Sequence, residues 1–306
     1  MNQTLCPYSL SPLNSAESND EHILPVALGA PASFTIRALA AENSRMNDLI
    51  DEPTVNDPLV RFLAMSQGVI SRSGPVKAVV DGAVNGSGEN VRATFTQGGL
   101  DLKFHQPVDT DDEGRVIGVR GFGDAAKQLA AQIVANYAKK GIVVQTEAQR
   151  SERNPEVSSR LVGNMLMIRR QMFKIAYLMT VRVFGDEAIT GPSGQQFRAA
   201  MMAESDDDLT QCKISGIAFR PLPPGCARST GHGEHAIACA VLPSIGLLTS
   251  VDLFGCFTLL AVTPADGISV AEMTGEVIAI HASSSKITSR SYAEALPSLF
   301  AAAFQG

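Results

Sequence analysis

The sequence predicts an α+β fold, and three observations predict it. Helix-like and strand-like stretches come in blocks, with no sustained strand-helix-strand alternation of the kind that builds a doubly wound parallel sheet. The strand-like blocks are joined by short Gly-, Asp- and Asn-rich turns, the spacing of antiparallel strands. Apolar residues make up 45% and charged residues 18% of the 306 positions, so a core can form without disulfides or a metal.

Each element follows from local pattern. Between Glu21 and Leu39, short apolar runs alternate with Gly29, Pro31 and Ser33, which predicts a hairpin with a loop. A helix is expected from about Ala40, with Asn43, Met46 and Ile50 on neighbouring faces. Asn56-Asp57-Pro58 supplies capping side chains before a first-turn proline, so a second helix should run from Pro58 to Met65. From Pro75 to Arg120 the stretches VKAVV, VRATFTQ, LDLKFHQPV and RVIGVR predict a sheet or meander. Asp124 is expected to cap a helix over Ala125 to Lys140 that Gly141 stops, and helical spacing predicts a long helix over Ser158 to Phe184 ending at Gly185. A shorter helix is expected over Gln195 to Ala203. CKISGIAF, HAIACAVL, SVDLFGCFTLLAVT and EVIAIHA read as strands.

Composition excludes several classes. The five cysteines, Cys6, Cys212, Cys226, Cys239 and Cys256, are odd in number and form no CxxC pair, so no disulfide framework or self-contained zinc site is indicated. The N-terminus lacks a basic region followed by an apolar stretch, which points to a cytoplasmic protein without a secretion signal. Ala236 to Pro264 is long enough to span a bilayer, but Pro243, Gly246, Asp252 and Gly255 interrupt it, and two paired strands are the expected reading, with no membrane partner. The net charge of -6 argues against a surface that is nucleic-acid-binding throughout. Lys127 to Lys174 nevertheless carries nine basic residues against three acidic ones. Lys139, Lys140, Arg150, Arg153, Arg169 and Arg170, together with Arg45, are the candidate phosphate contacts, the alternative being the solvated faces of two helices.

Other candidate sites are weaker. His232-Gly233-Glu234-His235 places two imidazoles at i and i+3 before a strand, not at i and i+4 on a helix as a HExxH metal site requires. There is no G-x-S-x-G elbow for a serine hydrolase, and GAVNGSGEN lacks the lysine-serine pair of a phosphate-cradling loop. Met165, Met167, Met172 and Met179 read as core packing of the long helix.

The informative segment is N-terminal. It runs Cys6-Pro7-Tyr8-Ser9, then Asp20-Glu21-His22-Ile23-Leu24-Pro25 with Leu28-Gly29, then Glu42-Asn43-Ser44-Arg45-Met46, Ile50-Asp51 and Asp57-Pro58-Leu59-Val60. Together these motifs resemble the HNH (His-Me finger) endonuclease family, in its bacterial branch with a zinc-knuckle-type finger. The resemblance covers residues 1–60, and Lys174-Ile175-Ala176 and Leu253-Phe254-Gly255 resemble the region that often follows. It implies a ββα-metal finger over 1–60 joined to an α+β region over 61–306, and a metal-dependent endonuclease acting on DNA, with RNA the alternative.

By that resemblance His22 is the general base, and Glu21 and Asn43 present oxygens to one divalent cation, Mg2+ being the usual one. The residue types suit the task, because imidazole is partly unprotonated near neutral pH and a hard cation prefers carboxylate and amide oxygens. The sequence departs from the family pattern at the zinc knuckles, which read Cys6-x-x-Ser9 and Leu39-x-x-Glu42. A structural zinc is therefore not expected. Ile23, Leu24, Leu28, Ile36, Leu39, Met46 and Ile50 must supply the finger's core instead. No asparagine near Ser33 to Thr35 is placed to orient the base, and residues 1–60 hold eight acids against two arginines. These departures motivate the alternative, a catalytically silent binding or scaffold protein of a defence or mobile-element system.

Overall fold

The computed structural model describes residues 3–85, 88–144, 156–212, 214–217, 226–227, 233–242, 244–271 and 273–303. Strands β1 (Ser18–His22) and β2 (Thr35–Leu39) form an antiparallel hairpin across a 3₁₀ turn, Val26–Leu28. Helix α1 (Ala40–Met46) follows β2 directly and continues through a π-helical turn, Asn47–Asp51, into α2 (Glu52–Val55). Helix α3 (Pro58–Ser66) begins where Pro58 sets φ and the Asp57 carboxylate accepts the Leu59 and Val60 amides. A small hairpin, β3 (Ile70–Ser71) and β4 (Gly74–Pro75), ends this part.

Next come β5 (Ala78–Val84), β6 (Asn90–Thr96), β7 (Gly99–Phe104), β8 (Val108–Thr110), β9 (Val116–Val119), α4 (Gly123–Ala138) and β10 (Val157–Ser159). Helices α5 (Met165–Phe184), α6 (Asp186–Thr190), α7 (Pro192–Met201) and α8 (Asp206–Gln211) follow. The chain continues with β11 (Ser215–Ile217), β12 (Glu234–Leu242), β13 (Gly246–Leu253), β14 (Phe257–Thr263), β15 (Gly275–His281), β16 (Lys286–Ser291) and α9 (Tyr292–Ala303).

Two compact units result, Met1–Val76 with Gly163–Gly306, and Lys77–Val162. Residues 1–60 therefore share a core with the C-terminal half instead of standing as a unit by themselves. In the larger unit six antiparallel strands run in the order β11-β14-β13-β12-β15-β16. The period of two along β12 builds a separate core on each face. Ile237 and Cys239 join the cluster that contains α5, whereas Ala236, Ala238 and Ala240 pack with Tyr292, Ala295 and Leu299 of α9.

Every residue of helix α5 from Gln171 to Val181 is buried, so its middle turns are covered on every side. Tyr177, Leu178 and Met179 are fully buried, and the helix also touches β2, the π turn and α2. Within residues 1–60, Ile23, Leu24, Leu28, Ile36, Met46 and Ile50 are buried and Leu39 packs against them, in the core shared with α5.

The smaller unit is an antiparallel sheet, β10-β5-β6-β7, with the β8-β9 hairpin and α4. Ala78, Val80, Val91 and Ala93 are buried, Phe104 stacks on Phe122 at 4.6 Å, and the surface carries ion pairs such as Arg92 with Asp81.

Several element boundaries differ from expectation. Asp124 lies in the first turn of α4 and does not cap it. Helix α5 begins at Met165, where Asn164 accepts the Met167 amide, because Ser158 and Ser159 are drawn into β10 by pairing with β5. The Ala236 to Pro264 tract makes three strands, not two, since the chain reverses at both Ser244-Ile245 and Phe254-Gly255. No helix among the described residues is long and apolar enough to cross a membrane.

Candidate functional site

Alternation along β1 sends its neighbouring side chains to opposite faces. Asp20 faces outward and ion-pairs with Arg37 at 3.1 Å, while Glu21 turns into the core and is 1% exposed. Buried there, the Glu21 carboxylate accepts from the Tyr8 hydroxyl at 2.7 Å and pairs with Lys174 Nζ at 2.6 Å. Lys174 also donates to Asp51 Oδ2 at 2.5 Å, which joins β1, the π turn and α5 through one ammonium.

Burial alone would depress Lys174, but Asp51 and Glu21 more than offset it and hold the ammonium above its ordinary value. One cation cannot fully neutralise two carboxylates in a dry site. Burial, aided by the nearby Asp51 charge, accordingly pushes Glu21 up against the lowering effect of Lys174. The same burial, with the Glu21 charge beside it, raises the Tyr8 phenol well above its usual range.

Lys174 therefore is not part of a basic surface, as its place in the Lys127 to Lys174 stretch implies. A lone lysine inside Met172-Phe173-Lys174-Ile175-Ala176 was the available signal: only a charge with buried partners is tolerated in such a run.

Asn43 sits on α1, where its amide nitrogen donates to Asn19 Oδ1 at 2.8 Å and to the Asp20 carbonyl at 3.0 Å. It fastens the helix to β1 and is not bonded to Glu21. As placed, Glu21 and Asn43 do not fit the divalent ion that the resemblance implies, because an ammonium already occupies the carboxylate and the amide is turned to the strand. Among the described residues no group of three or more His, Cys, Asp or Glu is arranged to hold a metal ion. Cys6 is fully buried in the apolar core.

His22, at the end of β1, is half-buried on the wall of a cavity of about 350 Å³ that it shares with Asn47, Asp51, Val55, Arg72 and Ser73. The π turn widens the helix locally and presents Asn47 and Asp51 to that cavity. Arg72, in the turn between β3 and β4, approaches with its Nη2 3.3 Å from His22 Nε2. A guanidinium only donates, so Nε2 accepts and the neutral imidazole carries its proton on Nδ1. His22 Nδ1 and Asp51 Oδ1 are both buried and have no hydrogen-bond partner among the described residues. Burial lowers the His22 pKa, Arg72 lowers it further and Asp51 opposes them, a balance that favours the neutral ring.

The described candidate phosphate contacts of the larger unit are each engaged within it. Arg45 is paired with Glu42, Arg169 with Asp206, and Arg170 Nε donates to the Met201 carbonyl. Lys139 and Lys140 are exposed beyond α4 in the smaller unit, and Arg150 and Arg153 lie outside the described residues. Arg72, which sequence reasoning did not single out, has no ion-pair partner among the described residues.

In the His232 to His235 motif, His232 lies outside the described residues. His235 is fully buried, donates from Nε2 to the Leu28 carbonyl at 2.8 Å and accepts the Phe254 amide on Nδ1 at 3.2 Å. Both ring nitrogens are thus committed to backbone. The chain matches no family model, no curated protein and no solved structure.

Proposed function

We propose that this chain is a phosphate-backbone-binding relative of the HNH nucleases in which the finger is kept as a binding element and the Glu21/Asn43 metal centre is lost. The observation that carries the reading is Lys174, whose Nζ lies 2.6 Å from Glu21 and 2.5 Å from Asp51 with no exposure to solvent. A carboxylate so engaged is withdrawn from any incoming cation. Support for a nucleic-acid partner comes from Arg72, an exposed guanidinium beside the cavity, since its planar fork suits phosphate oxygens. The partner class is DNA, with RNA as the competing strand chemistry.

A second reading, phosphodiester cleavage with His22 as general base, is favoured by one observation: a half-buried imidazole, its pKa lowered by burial, on the wall of an accessible cavity. Fluorescence anisotropy with labelled duplex DNA and single-stranded RNA, run beside a plasmid-nicking assay with Mg2+ or Mn2+, separates the readings. Salt-dependent binding with no metal-dependent product is the expected result. Product that appears with wild type and vanishes with His22→Ala transfers the assignment to cleavage, and absence of binding to either polymer removes the proposal.

A further inference from the structure

His22 and Asp51 present a matched pair of unanswered atoms. Because Nε2 faces a guanidinium that can only donate, the neutral ring places its hydrogen on Nδ1, a buried donor without an acceptor among the described residues. Asp51 Oδ1 is a buried acceptor without a donor among the described residues, and Oδ2 of the same carboxylate is tied to Lys174. Both residues stand on the wall of one cavity, and the two atoms do not hydrogen-bond to each other. Buried polar groups are almost always satisfied, by ordered water where protein does not reach.

We infer that Asp51 is the positioning residue of His22, holding its Nδ1–H through one shared water that accepts from the ring and donates to Oδ1. A water answers both atoms. A cation would answer only Asp51, because the nitrogen it would need already carries hydrogen. The arrangement extends the buried Tyr8, Glu21, Lys174 and Asp51 contacts outward to the imidazole. It supplies by a carboxylate on the π turn the orienting contact that no side chain near Ser33 to Thr35 provides. The Nε2 lone pair is thereby kept towards Arg72 and away from the core.

The inference rests on the preceding section only in treating His22 as the site residue. It is tested without nucleic acid, so either can fail alone. Two-bond ¹⁵N–¹H spectra of uniformly labelled protein, recorded above the imidazole titration range, report the tautomer, with the His22 signals assigned by their loss in His22→Gln. Wild type is expected in the Nδ1–H form, the minor tautomer of free imidazole side chains in water.

Arg72→Ala removes the Nε2 contact from an exposed turn without touching the core. If Asp51 holds the proton, the Nδ1–H form still predominates. An Nε2–H majority in wild type overturns the inference, and so does a switch to Nε2–H in Arg72→Ala, which would leave Arg72 as the sole cause. Asp51→Asn combined with Arg72→Ala should release the ring to the Nε2–H form, and retention of Nδ1–H in that folded double variant also overturns it. Should the double variant fail to fold, the Arg72→Ala spectrum decides.

Discussion

His22 and His235 both border the Val26–Leu28 turn, one facing the cavity beside it and the other lying beneath it, and they are held in opposite ways. His235 is answered on both sides by backbone, Leu28 on one and Phe254 on the other, and packs edge-on to the Phe254 ring at 4.4 Å. Its proton sits on Nε2. His22 Nε2 faces an exposed arginine side chain, and its Nδ1 has no direct partner among the described residues. The contrast separates a histidine that braces a fold from one that is available to a ligand. The criterion is what engages each nitrogen and whether that group can move, not the presence of neighbouring acids in the sequence.

The largest expected effect breaks the support beneath His22. Lys174→Met leaves two buried carboxylates without their cation and should cost about 3–5 kcal/mol in urea unfolding. Replacing all three charges together, Glu21→Gln, Asp51→Asn and Lys174→Met, should recover most of that loss. A single-variant cost under about 1 kcal/mol would mean the cluster is wetter than its burial implies.

Acid should strike His235 next. Burial lowers its pKa to about 4, so between about pH 6.5 and 4 the unfolded chain binds a proton there that the folded chain does not. Stability held above pH 6.5 should therefore fall by about 3 kcal/mol on acidification through that window. Urea midpoints at intervals of pH, compared with His235→Gln, should show a flatter dependence in the variant. An equal slope in both would assign the loss to other groups.

His22→Ala should change stability by less than about 1 kcal/mol, since neither ring nitrogen engages the backbone. A cost matching that of a braced histidine would erase the comparison. The smallest stability effect is expected for Arg72→Ala, within about 0.5 kcal/mol. Its signature is instead in binding, where the salt dependence of nucleic-acid affinity should lose about one unit of slope in a log-log plot. An unchanged slope would remove Arg72 from the contact surface.

Much of the fold was legible because its signals are local. The turn residues between Glu21 and Leu39 and the Asp57-Pro58 cap marked the hairpin and α3, and the apolar residues picked out between Ile23 and Ile50 are buried or packed against the core. What escaped the reading depended on distant partners. Ser158 and Ser159 carry helical spacing yet pair with β5, and the exposed edge strand β16 lacks the apolar alternation that marks a half-buried strand.

The site was legible only in part. The sequence singled out His22, which lines a cavity, but the carboxylates that meet Lys174 come from elements far away in the chain, Asp51 being 123 residues distant. No spacing rule reports such a meeting. Arg72 escaped because a single arginine in a Ser-Arg-Ser turn looks like solvent decoration until the fold sets it against the imidazole.

The π turn at Asn47–Asp51 carries one residue more than an α-helix would need, and that surplus is what aims Asp51. Deleting a single position there would let the backbone relax to ordinary pitch and swing everything beyond it by about 100°. Asp51 would then face elsewhere with its chemistry intact. Geometry at this corner is thus stored as a residue count, so an insertion or deletion should be more damaging than most changes of side chain.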